Sequence, residues 1–243
     1  MKTVKVRKLD DLDFQSNEAY KTLRTNIQFC GSDIKVVALT SCTPNEGKTS
    51  VSFNLARSLA ELGKKVLFID ADLRKSVVVG RYKVEGDLVG FTHYLSGQMA
   101  FHDVVYETNV EHLYMVFAGP VPPNPAELLS GRYFKSLLPA IRDVYDYIII
   151  DTPPLGSVID SAIIATECDG IAMVIEANTI SYRFAQKVME QLKKTECKIL
   201  GVILNKVNSK EHGYYGKYYG KYYGKYYGKY YGKYYGNYES EGK

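Results

Sequence analysis

The chain has 243 residues, 46% of them hydrophobic and 24% charged, with a formal charge of +4. That length suits one α/β domain with a generous core, or such a domain plus an appendage. Residues 1–209 carry 24 basic and 24 acidic groups, whereas 210–243 carry seven Lys and three Glu, so the whole excess charge lies in the tail. A neutral body argues against a broad nucleic-acid-binding face, which needs clustered Lys and Arg.

Cys30, Cys42, Cys168 and Cys197 form no C-x-x-C pair and have no His at ligand spacing, so they read as reduced thiols of a cytosolic protein. No apolar run approaches the roughly 20 residues needed to span a bilayer. Met1 to Asp13 is too charged for a signal peptide. The expectation is a cytoplasmic protein whose membrane association comes through a partner.

Residues 1–15 read as an N-terminal arm. Ser16 or Asn17 then caps a helix to about Phe29, with Ala19, Leu23 and Ile27 on one face. Glu18, Lys21 and Arg24 recur at intervals of three on a neighbouring face, the pattern of a solvated surface with one weak ion pair.

Val36 to Ser41 is an apolar strand. It runs through Pro44-Asn45-Glu46-Gly47-Lys48-Thr49 into a helix over Ser50 to Leu62, closed by Gly63 as a left-handed cap. A strand that stops in a tight turn and restarts as a helix aims several backbone N–H groups at one point, where the helix dipole also favours an anion. Phosphate is the expected occupant, with Pro44 to Ser50 as the nucleotide loop, Lys48 on the β- and γ-phosphates and the Thr49 hydroxyl on Mg²⁺. The strict pattern has glycine where this chain has Cys42; Asn45 compensates, because Asn tolerates the left-handed conformation.

Lys65 to Ile69 is a second strand ending in Asp70-Ala71-Asp72-Leu73-Arg74. Two carboxylates at i and i+2 on the carboxyl end of a strand stand where open α/β sheets bind ligands, and a Mg²⁺-nucleotide site needs hard oxygen donors. Further on, Gly90 to Gly97 reads as a short helix between glycines and Leu113 to Ala118 as a strand. Asn124 reads as an N-cap with Pro125 at the first helical position and Glu127 closing a capping box. His93, His102 and His112 lack metal-ligand spacing.

A helix over about 131–145 precedes Tyr147 to Ile150, whose end carries Asp151, placed to hold a Mg²⁺-bound water before Pro153 and Pro154 stop the strand. Ile171 to Ile175 and Lys198 to Leu204 are two more strands, separated by a helix over about 181–194. Strands alternating with helices, each strand nearly all apolar, predict a mostly parallel α/β sheet with helices on both faces. Asn205 stands at the end of the last strand, where nucleotide folds grip the base; Asn208 replaces the Asp of a guanine site, so adenine is expected.

From Tyr214 the chain repeats Y-Y-G-K five times and ends its cluster at Tyr238, placing thirteen of the 22 tyrosines in the tail. They are Tyr214, Tyr215, Tyr218, Tyr219, Tyr222, Tyr223, Tyr226, Tyr227, Tyr230, Tyr231, Tyr234, Tyr235 and Tyr238. A four-residue period is too short for a solenoid, and glycine at every fourth place costs about 1 kcal/mol each in a helix, so 210–243 reads as a disordered tail after a 16–209 domain. Attached to a phosphate-handling domain, these tyrosines look like a substrate.

From about Glu18 onward the chain resembles the bacterial tyrosine kinases, the BY-kinase family, and especially its soluble, capsule-regulating kind. The motifs are the variant Walker A at Gly47-Lys48-Thr49, D-x-D-x-R at Asp70, Asp72 and Arg74, the Walker B from Ile148 to Pro154 around Asp151, and the tyrosine cluster. The family's oligomerisation motif E-x-x-R-x-x-R corresponds to Glu18, Lys21 and Arg24, with Lys21 where Arg is usual.

The resemblance implies a P-loop NTPase fold of the MinD/ParA-like type and transfer of the γ-phosphoryl of Mg-ATP to tyrosines, on neighbouring subunits' tails and on other proteins. Lys48 would stabilise the phosphates and Thr49 bind Mg²⁺, with Asp151 acting on the metal directly or through its water. Asp70 and Asp72 would share the catalytic work in a division the resemblance does not fix: Asp72 is the candidate to orient and deprotonate the tyrosine and to serve the metal, with Asp70 supporting it or the metal. It further implies a homo-oligomeric ring, with an octamer as one size, a transmembrane modulator of the polysaccharide co-polymerase type, a cognate phosphotyrosine phosphatase, and a role in capsular or extracellular polysaccharide production. The principal rival is a partner-switching ATPase of MinD/ParA type, but its signature lysine would stand at Thr43.

Overall fold

The computed structural model describes residues 2–86 and 88–207. The tail tyrosines from Tyr214 to Tyr238, and Asn208, lie outside them. In chain order the elements are β1 (Lys2–Val4), α1 (Phe14–Phe29), β2 (Val36–Ser41), α2 (Lys48–Ala60), β3 (Val66–Asp70) and α3 (Val78–Arg81). Then come α4 (Phe91–Leu95), α5 (Phe101–Val104), β4 (Tyr106–Thr108), β5 (Leu113–Val116), α6 (Pro125–Ser130) and α7 (Arg132–Ile141). The last are β6 (Tyr147–Asp151), α8 (Asp160–Ala165), β7 (Gly170–Glu176), α9 (Tyr182–Lys193) and β8 (Ile199–Asn205).

These strands form one sheet in the order β1-β4-β5-β3-β6-β2-β7-β8, parallel throughout except for the antiparallel β4–β5 pair. Successive residues of the central strands feed two separate cores. Val37, Leu39, Phe68 and Ile149 pack with Phe53, Leu55 and Leu59 of α2. Ala38, Leu67, Ile148 and Ile150 face the other way, toward Phe134 and Leu138 of α7, Ile164 of α8 and Val188 of α9. Burial on both faces is why these strands are continuously apolar rather than alternating.

Several elements differ from the sequence reading. The first residues pair as an edge strand with β4, and Val4 and Val6 enter the core. Asp13 caps α1, accepting from Ser16 N–H at 2.7 Å, so the helix begins at Phe14 rather than after Ser16. α2 begins at Lys48 and is buried almost all round, because α1 lies over its outer side; Arg24 Nη1 donates to Ser58 O at 2.8 Å. Gly63 is left-handed as expected (φ 75°). Asn124 precedes Pro125 at the head of α6, but its side chain makes no capping bond, so the expected capping box is not formed.

Candidate functional site

Parallel strands present their carboxyl ends together, and β3, β6 and β2 are neighbours in the sheet. Asp70 at the end of β3 and Asp151 at the end of β6 are register partners, while β2 runs on into the phosphate loop. The topology therefore brings the three sequence motifs to one edge, where open α/β sheets take ligands.

The loop is shaped by two left-handed residues, Asn45 (φ 69°) and Gly47 (φ 87°). Asn at the first of these positions lowers the steric cost that most side chains would meet. Cys42, in the place of the strict pattern's glycine, is fully buried, with Sγ 3.6 Å from Met173 Sδ. Burial, helped by the Glu46 charge, pushes its thiol up to about 12. Its side chain thus belongs to the core beneath the loop. The Cys42 carbonyl lies against Gly156, where a Cβ would come within 2.1 Å of it, so that position admits only glycine. Nothing in the sequence reading singled out Gly156.

Glu46 and Asn205 hold the loop from behind. The buried Glu46 carboxylate accepts from Thr43 N–H and Thr43 Oγ1, both at 2.6 Å, and from Glu176 N–H at 3.2 Å. Asn205 Nδ2 donates to Glu46 O at 2.9 Å, tying the end of β8 to the loop. Both side chains brace the loop.

The first intrahelical bond of α2 runs from Val51 N–H to Gly47 O (3.0 Å), so the amides of Lys48, Thr49 and Ser50 precede the helical ladder. No side chain caps this end and no acidic residue stands in its first turn. Lys48 is buried, with Nζ 2.7 Å from Asp151 Oδ1 and 3.4 Å from Thr49 Oγ1. Ser52 Oγ donates to the same Asp151 oxygen at 3.0 Å. A cation, a hydroxyl and a carboxylate within one hydrogen-bonded cluster at a free helix N-terminus suit a phosphate chain and its metal. Hard oxygens for Mg²⁺ are at hand in Thr49 and Asp151, and magnesium keeps most of its remaining shell as water and phosphate.

Asp70 is fully buried. Burial, with the neighbouring Asp151 charge, pushes its carboxyl up to about 7 against the opposing effects of Ser76 and Lys48. Ser76 Oγ donates to Asp70 Oδ2, and Asp72 N–H donates to Oδ1 at 3.3 Å. Asp72 is half-buried and accepts from Lys75 N–H at 3.0 Å. Arg74 makes a two-pronged contact with the buried Asp160, Nε to Oδ2 at 2.7 Å and Nη2 to Oδ1 at 2.9 Å, clamping the loop after β3 onto the head of α8. Asp160 was not legible as a partner, being 86 residues away from Arg74.

The expected oligomerisation residues divide. Glu18 and Lys21 pair within α1 at 2.6 Å, while Arg24 turns inward onto Ser58.

A family model described as "AAA domain" matches residues 34–205. The tyrosine-protein kinase CpsD of Streptococcus agalactiae is 47% identical over 208 residues, covering 84% of this chain and 91% of that protein. The kinase domain of the Escherichia coli tyrosine kinase ETK superposes with a TM-score of 0.75 at 32% identity, covering 82% of this chain and 80% of that one. The septum site-determining protein MinD of Pyrococcus horikoshii, solved with Mg-ADP, gives a TM-score of 0.63 at 26% identity, covering 73% and 72%. Fold and loop are those of a nucleotide-using P-loop protein, and the similarity favours the kinases over the switching ATPases. The chain belongs to the bacterial tyrosine-protein kinase family, the BY-kinases.

Proposed function

We propose that this tyrosine kinase uses Mg-ATP to phosphorylate its own tyrosine-rich tail in trans, on a neighbouring copy, as well as tyrosines of other proteins. What supports the reading is the joining of one chain's YYGK repeats to a helix N-terminus that holds Lys48, Thr49 and Asp151 in a single cluster.

Catalysis is then positioning and charge neutralisation, because the phosphoryl transition state is loose. Bound Mg²⁺ would neutralise phosphate charge next to Thr49 and Asp151. Lys48 exchanges its contact with Asp151 for the β- and γ-phosphates, and the amides of the first α2 turn hold the non-bridging oxygens. Asp72, in the loop after β3 and more accessible than Asp70, orients the phenol and accepts its proton late, which suits an acid of pKa about 10. Asp70, buried behind it, supports Asp72 or the metal. Asn205 serves the adenine side by fixing the loop.

Among the described residues no helix is long and apolar enough to cross a membrane. In this proposal a transmembrane modulator of the polysaccharide co-polymerase type supplies the membrane contact and completes the site. Copies assemble as a ring through the α1 face that carries Glu18 and Lys21, with Arg24 holding α1 onto α2 behind it, and a phosphotyrosine phosphatase resets the tail. The output is capsular or extracellular polysaccharide.

The test mixes a variant truncated after Lys210, as enzyme, with full-length Lys48→Met, as substrate, in Mg-ATP. Phosphotyrosine on the inactive full-length chain supports transfer in trans. Its absence, while the wild type modifies itself, refutes it.

A further inference from the structure

Arg81 closes α3, a short helix that follows the β3 loop, and its exposed side chain reaches across to the nucleotide helix. Arg81 Nη1 donates to Ser50 Oγ at 2.6 Å. Ser50 belongs to the first turn of α2, and its amide is one of those that precede the helical ladder. Arg7, Arg57, Arg74 and Arg142 each pair with a carboxylate. Among the described residues Arg81 has no such partner, only this neutral hydroxyl.

The placement is electrostatically odd in the protein alone. A helix N-terminus carries about half a positive charge, and a cation there is unfavourable. The first turn of α2 nevertheless has Lys48 inside it, Arg81 against it and no acidic residue of its own. Lys48 is paired with Asp151, whereas Arg81 is in no ion pair among the described residues. An anion at the head of the helix would reverse the sign of the arrangement, and a polyphosphate is the anion this turn is built for.

Resting on the nucleotide site argued above, we infer that Arg81 is a further nucleotide-binding residue, which contacts the non-transferred phosphates of ATP and ADP. Lys48 serves the β- and γ-phosphates and Thr49 the metal, which leaves the Ser50 end of the turn for the α/β side. A contact made equally to substrate, transition state and product strengthens binding without lowering the chemical barrier. Arg81 therefore sets the affinity for nucleotide, and ADP retention with it, rather than the rate of transfer.

The experiment compares wild type with Arg81→Ala, Arg81→Gln and Arg81→Lys, measuring KM for ATP, kcat for tail phosphorylation, and Kd for ADP and for adenosine. Removing a charge-assisted hydrogen bond to phosphate at a partly exposed site predicts about a tenfold rise in both KM(ATP) and Kd(ADP) for the Ala and Gln variants. The account further requires unchanged kcat, unchanged adenosine affinity, and partial recovery with Lys as a point charge. KM(ATP) and Kd(ADP) within twofold of wild type, or a fall confined to kcat, would overturn it. Wild type that fails to bind ADP at all would instead overturn the nucleotide site on which it rests. Arg81 is exposed, and unfolding midpoints of the three variants matching wild type keep any change attributable to binding.

Discussion

Lys48 and Asp151 form an ion pair of 2.7 Å at the head of the phosphate loop, with side chains only 7% and 1% exposed. Each charge neutralises the other, and in the proposed mechanism the residue that grips phosphate rests against the residue that serves the metal.

Removing one member leaves the other buried and unpaired, which costs about 3–5 kcal/mol in such sites. Lys48→Met is accordingly expected to be less stable than wild type by about 3 kcal/mol in urea unfolding without nucleotide. Lys48→Met combined with Asp151→Asn should regain more than half of that loss. A double variant as unstable as the single one would show that the two charges are not coupled.

The Asp70 carboxyl, raised to about 7, makes stability depend on pH in a direction opposite to that of a salt-bridged aspartate. An unfolded Asp titrates near 3.9. Between about 4 and 7 the folded chain therefore holds the extra proton, and stability falls as pH rises, levelling off above about 7. In chelator-treated buffer, wild type should lose stability between pH 5.5 and 8 relative to Asp70→Asn, in which this contribution is absent. Parallel pH profiles for the two proteins would contradict the assignment.

Arg74 grips Asp160 with two parallel bonds, and the loop between them and β3 carries Asp72. Lysine keeps the charge but not the planar fork. Arg74→Lys should lower kcat for tyrosine phosphorylation by about tenfold, roughly one charge-assisted hydrogen bond, while KM for ATP changes little. A change in KM alone would place the clamp on the nucleotide side of the site instead.

Asn205 offers a direct contrast between bracing and base reading. Its amide donates to Glu46 O at 2.9 Å. If it acts through the loop, Asn205→Ala weakens ATP and GTP binding by the same factor, about three- to tenfold for one hydrogen bond. Loss of adenine preference with unchanged triphosphate affinity would favour a contact to the base.

The chemistry-bearing strands were legible because each is a buried apolar run that ends in a loop of distinctive residues: Ser41 before the phosphate loop, Asp70, and Asp151. Their convergence was not. Asp70 and Asp151 are cross-strand partners 81 positions apart, and only the strand order makes them neighbours. Two short strands escaped notice for a physical reason: β1 and β4 have three residues each, too few for period-2 alternation to show. The sequence assigns Glu46 and Asn205 to the nucleotide and Arg24 to a subunit contact, but each spends its side chain on holding an element in place. Asp160 and Gly156 answer to partners distant in sequence, Arg74 and the Cys42 carbonyl, and carried no local signal at all.

The most direct measurement is the intact mass of purified full-length protein after incubation with Mg-ATP, with and without a peptide from a membrane modulator, beside Lys48→Met and a truncation after Lys210. The account predicts stepwise single-phosphate gains confined to the tail, absent from both variants. ATP consumed with no gain in mass under any condition would contradict it.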